Sequence, residues 1–93
     1  MRKVALVIGS SIGLGASTAY ELASEGYDVV ITYLSHKDEA LSLEDMIKKE
    51  YEVDTLTIKC DITNEEDLKN VLNEIKSKFN RLDVLVNNAG ISI

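Results

Sequence analysis

The segment VIGSSIGLGAS, residues 7–17, holds three of the five glycines in this 93-residue sequence and follows a short apolar run. Its glycines, Gly9, Gly13 and Gly15, are spaced G-x-x-x-G-x-G. The general dinucleotide-binding fingerprint is instead G-x-G-x-x-G or G-x-G-x-x-A, and read from Gly13 its third small residue falls on Thr18. The segment is therefore either a chance glycine-rich loop or a nucleotide-binding turn from another branch of the same architecture.

Strand and helix signals alternate outward from this segment, with no linker, repeat or low-complexity stretch between them. Short apolar or β-branched runs predict strands at residues 4–8, 29–33, 55–60 and 84–86. Apolar residues spaced three and four apart predict three intervening helices. The order βαβαβαβ predicts an α/β fold with a parallel sheet, right-handed crossovers and strand order 3-2-1-4.

The helix boundaries are predicted from capping residues. We expect the first helix over residues 15–25 with Gly26 at its end, the second to start at Ser35 with Asp38, and the third to open on a capping box at residues 63–66. Their expected apolar stripes are Ala16, Ala19, Tyr20 and Ala23 in the first, Ala40, Leu43, Ile47 and Tyr51 in the second, and Leu68, Val71, Leu72, Ile75 and Phe79 in the third.

The composition fits one globular domain over residues 1–93: 45% of the residues are hydrophobic and 28% are charged, which argues against disorder and collagen. A lone Cys60, with no secretory signal pattern at the N-terminus, predicts a reducing, cytoplasmic location. No apolar run approaches the roughly 18 residues of a membrane span. A net charge of −6 with scattered basic residues argues against a nucleic-acid partner.

Polar or glycine-containing stretches follow three of the predicted strands. Residues 9–15 follow the first strand, Asp61 the third, and Asn87-Asn88-Ala89-Gly90 the fourth. Carboxyl ends of parallel strands meet at one edge of the sheet, where ligands bind in folds of this class. Asp61 could accept a hydrogen bond from an adenine amino group, or could be a solvated cap before the third helix. Two buried amides at Asn87 and Asn88 would need partners in the protein or in a ligand.

Together these motifs resemble the N-terminal half of the short-chain dehydrogenase/reductase family, and in particular its 3-oxoacyl-(acyl-carrier-protein) reductases. The resemblance covers the whole chain and implies a Rossmann-type fold that binds NADP or NAD. It implies that the first loop holds the diphosphate and adenosine ribose, through Gly9, Ser10, Ser11, Ile12, Gly13, Leu14 and Gly15. By the same resemblance Asp61 and Ile62 would contact the adenine, and Asn88, Ala89 and Gly90 the ribose region near the fourth strand.

Two departures from the family pattern bear on this reading. Ile8 stands where the family usually has a threonine whose hydroxyl helps to fix the turn. The family's catalytic Ser, its Tyr-x-x-x-Lys pair and a further Asn come well after the Asn-Asn-Ala-Gly motif, whereas this sequence ends at Ile93. We therefore expect a cofactor-binding half, truncated before the catalytic half and without turnover by itself. In the intact family a hydride passes between nicotinamide and a small carbonyl or alcohol substrate.

Tyr33 and Lys37 also match Tyr-x-x-x-Lys, but a catalytic pair needs both residues on one helix face. Here Tyr33 is predicted to end a strand, so we assign the pair no catalytic role. The end of the second strand, Tyr33-Leu34-Ser35, lacks the acid that would accept a hydrogen bond from the adenosine ribose 2′-OH and repel a 2′-phosphate. We therefore expect NADP to be preferred over NAD, with Ser35, His36 and Lys37 as candidate phosphate contacts.

Other functions remain open from the residues alone. A non-catalytic dinucleotide-binding or sensing module could use the same turn. A receiver domain would need acids after the first strand, and a P-loop NTPase would need Gly-Lys-Ser/Thr. We predict no metal site. The apolar fourth strand would leave an unpaired sheet edge, so we also expect self-association, in line with a family of homo-oligomers.

Overall fold

The computed structural model describes residues 2–88 and confirms the predicted architecture. The strands are β1 (Val4–Ile8), β2 (Asp28–Tyr33), β3 (Thr55–Lys59) and β4 (Val84–Asn87), and the helices are α1 (Gly13–Ser24), α2 (Lys37–Glu50) and α3 (Glu65–Lys78). All pairings are parallel and the strand order is β3-β2-β1-β4. This is the predicted 3-2-1-4 order of a Rossmann-type sheet.

The sheet is covered by helices on both faces because its central strands are apolar throughout. All five residues of β1 are buried. One cluster packs β1 and β2 against α1 and α2, and consists of Val7, Ala19, Ala23, Val29, Ile31, Ala40, Leu43 and Ile47. The other packs the opposite face against α3, and consists of Val4, Leu6, Ile8, Val30, Cys60, Val71 and Ile75. β1 therefore lies at the centre of a three-layer core.

The apolar stripes of α1 and α2 are confirmed, and Tyr51 meets Tyr20 edge to face with ring centroids 5.3 Å apart. The stripe of α3 was predicted too wide. Val71 and Ile75 are buried and Phe79 packs beside them, but Leu72 is 44% exposed. Its side chain lies next to the loop before β4, near Leu82.

The three predicted helix starts were wrong, and one bound each of α1, β2, β3 and β4 differs from its prediction by one residue. α1 begins at Gly13 rather than Gly15, because the helical hydrogen bonds already start with the Ala16 N–H, which donates to the Ile12 carbonyl at 3.3 Å. α2 begins at Lys37 after His36, and Ser35 makes no capping bond to it; the Ser35 hydroxyl instead contacts His36 Nδ1 at 3.3 Å. α3 is capped by Asn64 rather than Thr63, since the Asn64 side chain reaches the amides of the first turn.

The structure places β4 at one edge of the sheet, where among the described residues it pairs with β1 alone. Burial alternates along β4, and Leu85 is 62% exposed. The predicted apolar edge is thus present in this part of the chain, while self-association along it stays a prediction. No helix within residues 2–88 is long and apolar enough to cross a membrane.

Candidate functional site

A cleft of about 490 Å³ lies at the carboxyl edge of the sheet, a size typical of small-molecule sites. Segments that follow each of the four strands contribute to its wall. The lining residues are Ile8, Gly9, Ser11, Ile12, Leu14, Gly15, Tyr33, Leu34, His36, Cys60, Asp61, Ile62, Thr63 and Asn88. The structure thus brings together most of the site residues predicted from the sequence. Ser10, Gly13 and Ser35 do not line the cleft, and Ala89 and Gly90 lie outside the described residues.

The glycine turn needs glycine for two different reasons. Gly9 and Gly13 have positive φ values of 71° and 60°, a backbone region that residues with a side chain rarely adopt. Gly15 has ordinary helical geometry, but a Cβ at this position would overlap the carbonyl oxygen of Gly9 and lie 2.9 Å from its carbonyl carbon. The first turn of α1 can therefore approach the end of β1 only because residue 15 has no side chain.

The first turn of α1 leaves its backbone N–H groups without a side-chain cap. The residue at the N-cap is Ile12, which makes no capping hydrogen bond, and the described first turn contains no acidic residue. Ile12, Leu14 and Gly15 line the cleft. Unpaired N–H groups and the positive end of a helix dipole favour an anion, so this turn is suited to a phosphate group.

Behind the turn, two hydroxyl groups form what we term the Ser10–Thr32 clasp. Thr32 Oγ1 accepts a hydrogen bond from the Gly9 N–H at 2.9 Å and donates to the Val7 carbonyl at 3.2 Å. Ser10 Oγ donates to the same carbonyl at 2.8 Å and accepts from the Thr32 N–H at 2.9 Å. Ser10 is fully buried, so its hydroxyl serves the protein interior rather than the cleft.

Sequence reasoning missed Thr32 near the site, and it assigned no binding role to Ile8, Cys60 and Thr63, which line the cleft. A threonine inside a β-branched run is typical of a strand and carries no further signal by itself. The missing hydroxyl at Ile8 could have prompted a search for another hydroxyl near the turn. Only the register that brings β2 beside β1, with Val7 opposite Ile31, shows that Thr32 reaches Gly9.

Asp61 lies two residues beyond β3 and lines the cleft. Its Oδ1 accepts hydrogen bonds from the Thr63 N–H at 2.9 Å and from the Thr63 hydroxyl at 2.6 Å. These bonds, chiefly the one from the hydroxyl, lower the pKa of the Asp61 carboxyl below its ordinary value. Asp61 is therefore an ionised acceptor at neutral pH and also shapes the turn that leads to α3.

The end of β2 contributes Tyr33, Leu34 and His36 to the cleft. None of the described lining residues from this segment is acidic, as the sequence predicted. Tyr33 is the last residue of β2 and Lys37 the first of α2, so the two do not share a helix face. The placement predicted for this pair is confirmed. The acids Asp38 and Glu39 line a separate depression between α1 and α2.

The end of β4 completes the cleft. Asn87 pairs with Ile8 in the parallel ladder, and the Asn88 N–H donates to the Ile8 carbonyl at 2.9 Å. These backbone bonds tie the segment to the end of β1, but Asn87 is exposed and Asn88 half-buried, so the expectation of two buried amides is wrong. Asn88 also lines the cleft.

Cys60 lies at the inner wall of the cleft, where it is only 5% exposed. Its N–H donates to the Tyr33 carbonyl at 2.8 Å, and its side chain packs in the core cluster under α3. Burial, followed by the charges of Asp67 and Asp61, raises the pKa of the thiol. A neutral, buried thiol acts as a small apolar side chain, in agreement with the prediction.

Comparison with known proteins agrees with the motifs and the fold. The model of the short chain dehydrogenase family matches residues 3–93. The chain belongs to the short-chain dehydrogenase family. The family's three motif positions in this sequence, the glycine turn, Asp61 and Asn88, all lie at the described cleft.

Individual members of the family are similar to this chain in sequence and in structure. The chain is 42% identical over 92 residues to a 3-oxoacyl-(acyl-carrier-protein) reductase of Staphylococcus aureus, covering 99% of this chain and 37% of the relative. It superimposes with a TM-score of 0.93 and 29% identity on a short-chain dehydrogenase/reductase from Burkholderia xenovorans, and with 0.89 and 33% on an acetoin dehydrogenase from Enterobacter cloacae. Those alignments cover 98% and 100% of this chain and 37% and 36% of the solved chains. The chain thus spans somewhat more than a third of the length of its relatives.

Proposed function

We propose that the protein binds a nicotinamide dinucleotide in the cleft at the carboxyl edge of the sheet, as the cofactor-binding part of a short-chain dehydrogenase/reductase. The observation that carries this proposal is the first turn of α1, which faces the cleft with no side-chain cap and no acid among its described residues. A diphosphate is the ligand that such a turn favours. Family membership supports the same assignment.

The residues present fit the parts of a dinucleotide in order along the cleft. The N–H groups of residues 13–15 would hold the diphosphate, and the absence of side chains at Gly13 and Gly15 lets phosphate approach the backbone. Asp61 would accept from the adenine amino group, and Ile62, which is 36% exposed, would offer an apolar contact beside it. Asn88 would bind at the opposite side of the turn, toward the ribose of the nicotinamide half.

The activity we propose for the intact protein is reduction or oxidation of a small carbonyl or alcohol substrate. When bound, the dinucleotide supplies or accepts the hydride of that reaction. The described residues bind and orient it, and none of them is assigned a proton-transfer role. A 3-oxoacyl thioester is the substrate we infer first, since it is the substrate named for the Staphylococcus relative.

We propose NADP(H) as the preferred cofactor. The lining at the end of β2 offers Tyr33, Leu34 and His36, with no carboxylate to accept from a ribose 2′-OH or to repel a 2′-phosphate. Ser35 Oγ and His36 Nδ1 are 3.3 Å apart and exposed, so both can turn toward a phosphate. We further propose a cytoplasmic location and a homo-oligomer, from the single cysteine and the exposed β4 edge.

Isothermal titration calorimetry with NADPH, NADH and ADP tests the proposal. We expect saturable binding of NADPH that is at least about threefold tighter than that of NADH. The 2′-phosphate adds hydrogen bonds at the end of β2, where no carboxylate lines the cleft to repel it. Asp61→Asn should weaken both dinucleotides, because an amide nitrogen replaces one acceptor. Glu65→Gln, in the first turn of α3 and outside the cleft lining, is the matched control. Tighter binding of NADH would refute the NADP preference, and no binding of either dinucleotide would refute the site.

A further inference from the structure

The Ser10–Thr32 clasp lies behind the cleft rather than in it. Thr32 is 1% exposed and Ser10 is fully buried, and neither is among the described residues that line the cleft. Thr32 nevertheless bonds to Gly9, the first residue of the glycine turn, and Ser10 is the second residue of that turn. Neither hydroxyl can therefore act by touching a ligand, and any effect on binding must pass through the backbone.

Two successive contacts connect the clasp to the first turn of α1. The Thr32 hydroxyl accepts from the Gly9 N–H and so fixes the orientation of the peptide at the start of the turn. The carbonyl of Gly9 in turn faces Gly15, with no room between them for a Cβ. Gly15 belongs to the first turn of α1 and lines the cleft with Ile12 and Leu14. A rotation at Gly9 would therefore displace the anion-binding turn.

The residue before Gly9 cannot supply this restraint, because Ile8 has an aliphatic side chain. The neighbouring strand supplies it instead. Ser10 adds a second restraint, since its hydroxyl joins the Val7 carbonyl on β1 to the Thr32 N–H on β2, and its own N–H donates to the Thr32 carbonyl at 3.2 Å. Hydrogen bonds to β1 and to β2 thus both hold the start of the turn.

We propose that Thr32, assisted by Ser10, is a positioning residue that aims the first turn of α1 at the dinucleotide diphosphate. The proposal rests on the proposed function for the identity of the ligand. It assigns a binding role to a strand residue with no access to the cleft. Preorganised donors bind more tightly because the cost of ordering them is met during folding.

The test compares Thr32→Val, Thr32→Ser and Thr55→Val. Thr55 is a matched control: it is also 1% exposed and its hydroxyl also makes a hydrogen bond, to Glu44 at 2.7 Å, but it lies at the opposite end of the sheet. We expect Thr32→Val to raise the Kd for NADPH about tenfold, the effect of one lost hydrogen bond. Thr32→Ser should stay within about threefold of wild type, and Thr55→Val within about twofold although it lowers stability. Should Thr32→Val fail to fold, Ser10→Ala provides a milder variant, with an expected rise of about threefold.

Hydrogen exchange of the Gly9 amide without ligand provides a second readout. We expect Thr32→Val to speed exchange at Gly9 well beyond any change at the centre of β1, whereas Thr55→Val should speed both equally. An unchanged Kd in Thr32→Val, or an equal rise in Thr55→Val, would overturn the proposal. If the wild-type protein binds neither dinucleotide, the proposed function fails, and unchanged Gly9 exchange in Thr32→Val then refutes the clasp independently.

Discussion

The first turns of α1 and α3 lie at the same edge of the sheet but are completed in opposite ways. At α3, Asn64 Oδ1 accepts from the N–H groups of Glu66 at 2.9 Å and Asp67 at 3.3 Å, and all three first-turn side chains are acidic. At α1, the N-cap is Ile12 and no described first-turn residue is acidic. A side chain of the protein thus accepts hydrogen bonds from the N–H groups at the start of α3, whereas no described side chain caps the start of α1.

The contrast supports the ligand site that we propose, because α1 lacks both the side-chain cap and the first-turn acids of α3. Caps and acidic first turns stabilise helices, since they pair with free N–H groups and with the positive end of the dipole. α1 has neither a side-chain cap nor an acidic first turn. Its glycines instead let its backbone lie against the end of β1. A helix start that is stable without its own cap is suited to a phosphate.

Gly15→Ala should have the largest effect, because the added Cβ would overlap the Gly9 carbonyl oxygen. Overpacking against backbone costs about 3 kcal/mol, and the displaced turn should lose at least about tenfold in dinucleotide affinity. Urea denaturation and calorimetry measure the two quantities. Gly26→Ala is the control, since its φ of 94° also disfavours alanine, by about 1–2 kcal/mol, at a site far from the cleft. Normal affinity in Gly15→Ala would contradict the packing argument.

Ile12→Asp should make the start of α1 resemble that of α3. An acidic N-cap stabilises a helix by about 1 kcal/mol, and little apolar burial is lost because Ile12 is 49% exposed. The same carboxylate would occupy the N–H groups and repel phosphate, so stability should rise while dinucleotide affinity falls about tenfold or more. Ile12→Ala, which cannot cap, should change neither by much. A variant that gains stability and keeps its affinity would show that the ligand does not use this turn.

Asn64→Ala is the reciprocal change at α3. Loss of the cap should lower the free energy of unfolding by about 1 kcal/mol, and dinucleotide affinity should stay unchanged, since Asn64 is not among the lining residues. Asn70→Ala, at an exposed position within the same helix, is the matched control for composition. A large loss of affinity in Asn64→Ala alone would mean that α3, too, contributes to the ligand site.

Acid pH should produce the smallest of these effects, a decrease in the free energy of unfolding. The side-chain hydrogen bond from Arg81, followed by the bond from the Val4 N–H, lowers the pKa of Asp83 to about 2, and the Thr63 bonds lower that of Asp61. Because the folded values lie below the unfolded value of about 3.9, the stability they contribute is present above about pH 4 and is lost as pH falls toward 2. Urea midpoints at pH 5, 4 and 3 should decline, and less steeply in Asp83→Asn. Equal slopes in variant and wild type would contradict this assignment.

The sequence predicted the fold and most of the cleft because both depend on local patterns. Apolar runs, glycine spacing and polar residues at strand ends are visible along the chain, and the parallel topology brings those ends together. The sequence predicted Thr63 as the cap of α3, whereas Asn64 caps it. Both residue types can cap a helix, and the choice depends on the turn that Asp61 builds. Thr32 was missed because its partners, Gly9 and Val7, are distant in sequence.

Backbone chemical shifts during an NMR titration with NADP test the central claim most directly. If the uncapped start of α1 binds the diphosphate, the amide signals of Gly13, Leu14 and Gly15 will shift and saturate together, while those of Glu66 and Asp67 stay in place. Saturable binding without shifts at residues 13–15, or with equal shifts at the start of α3, would contradict it.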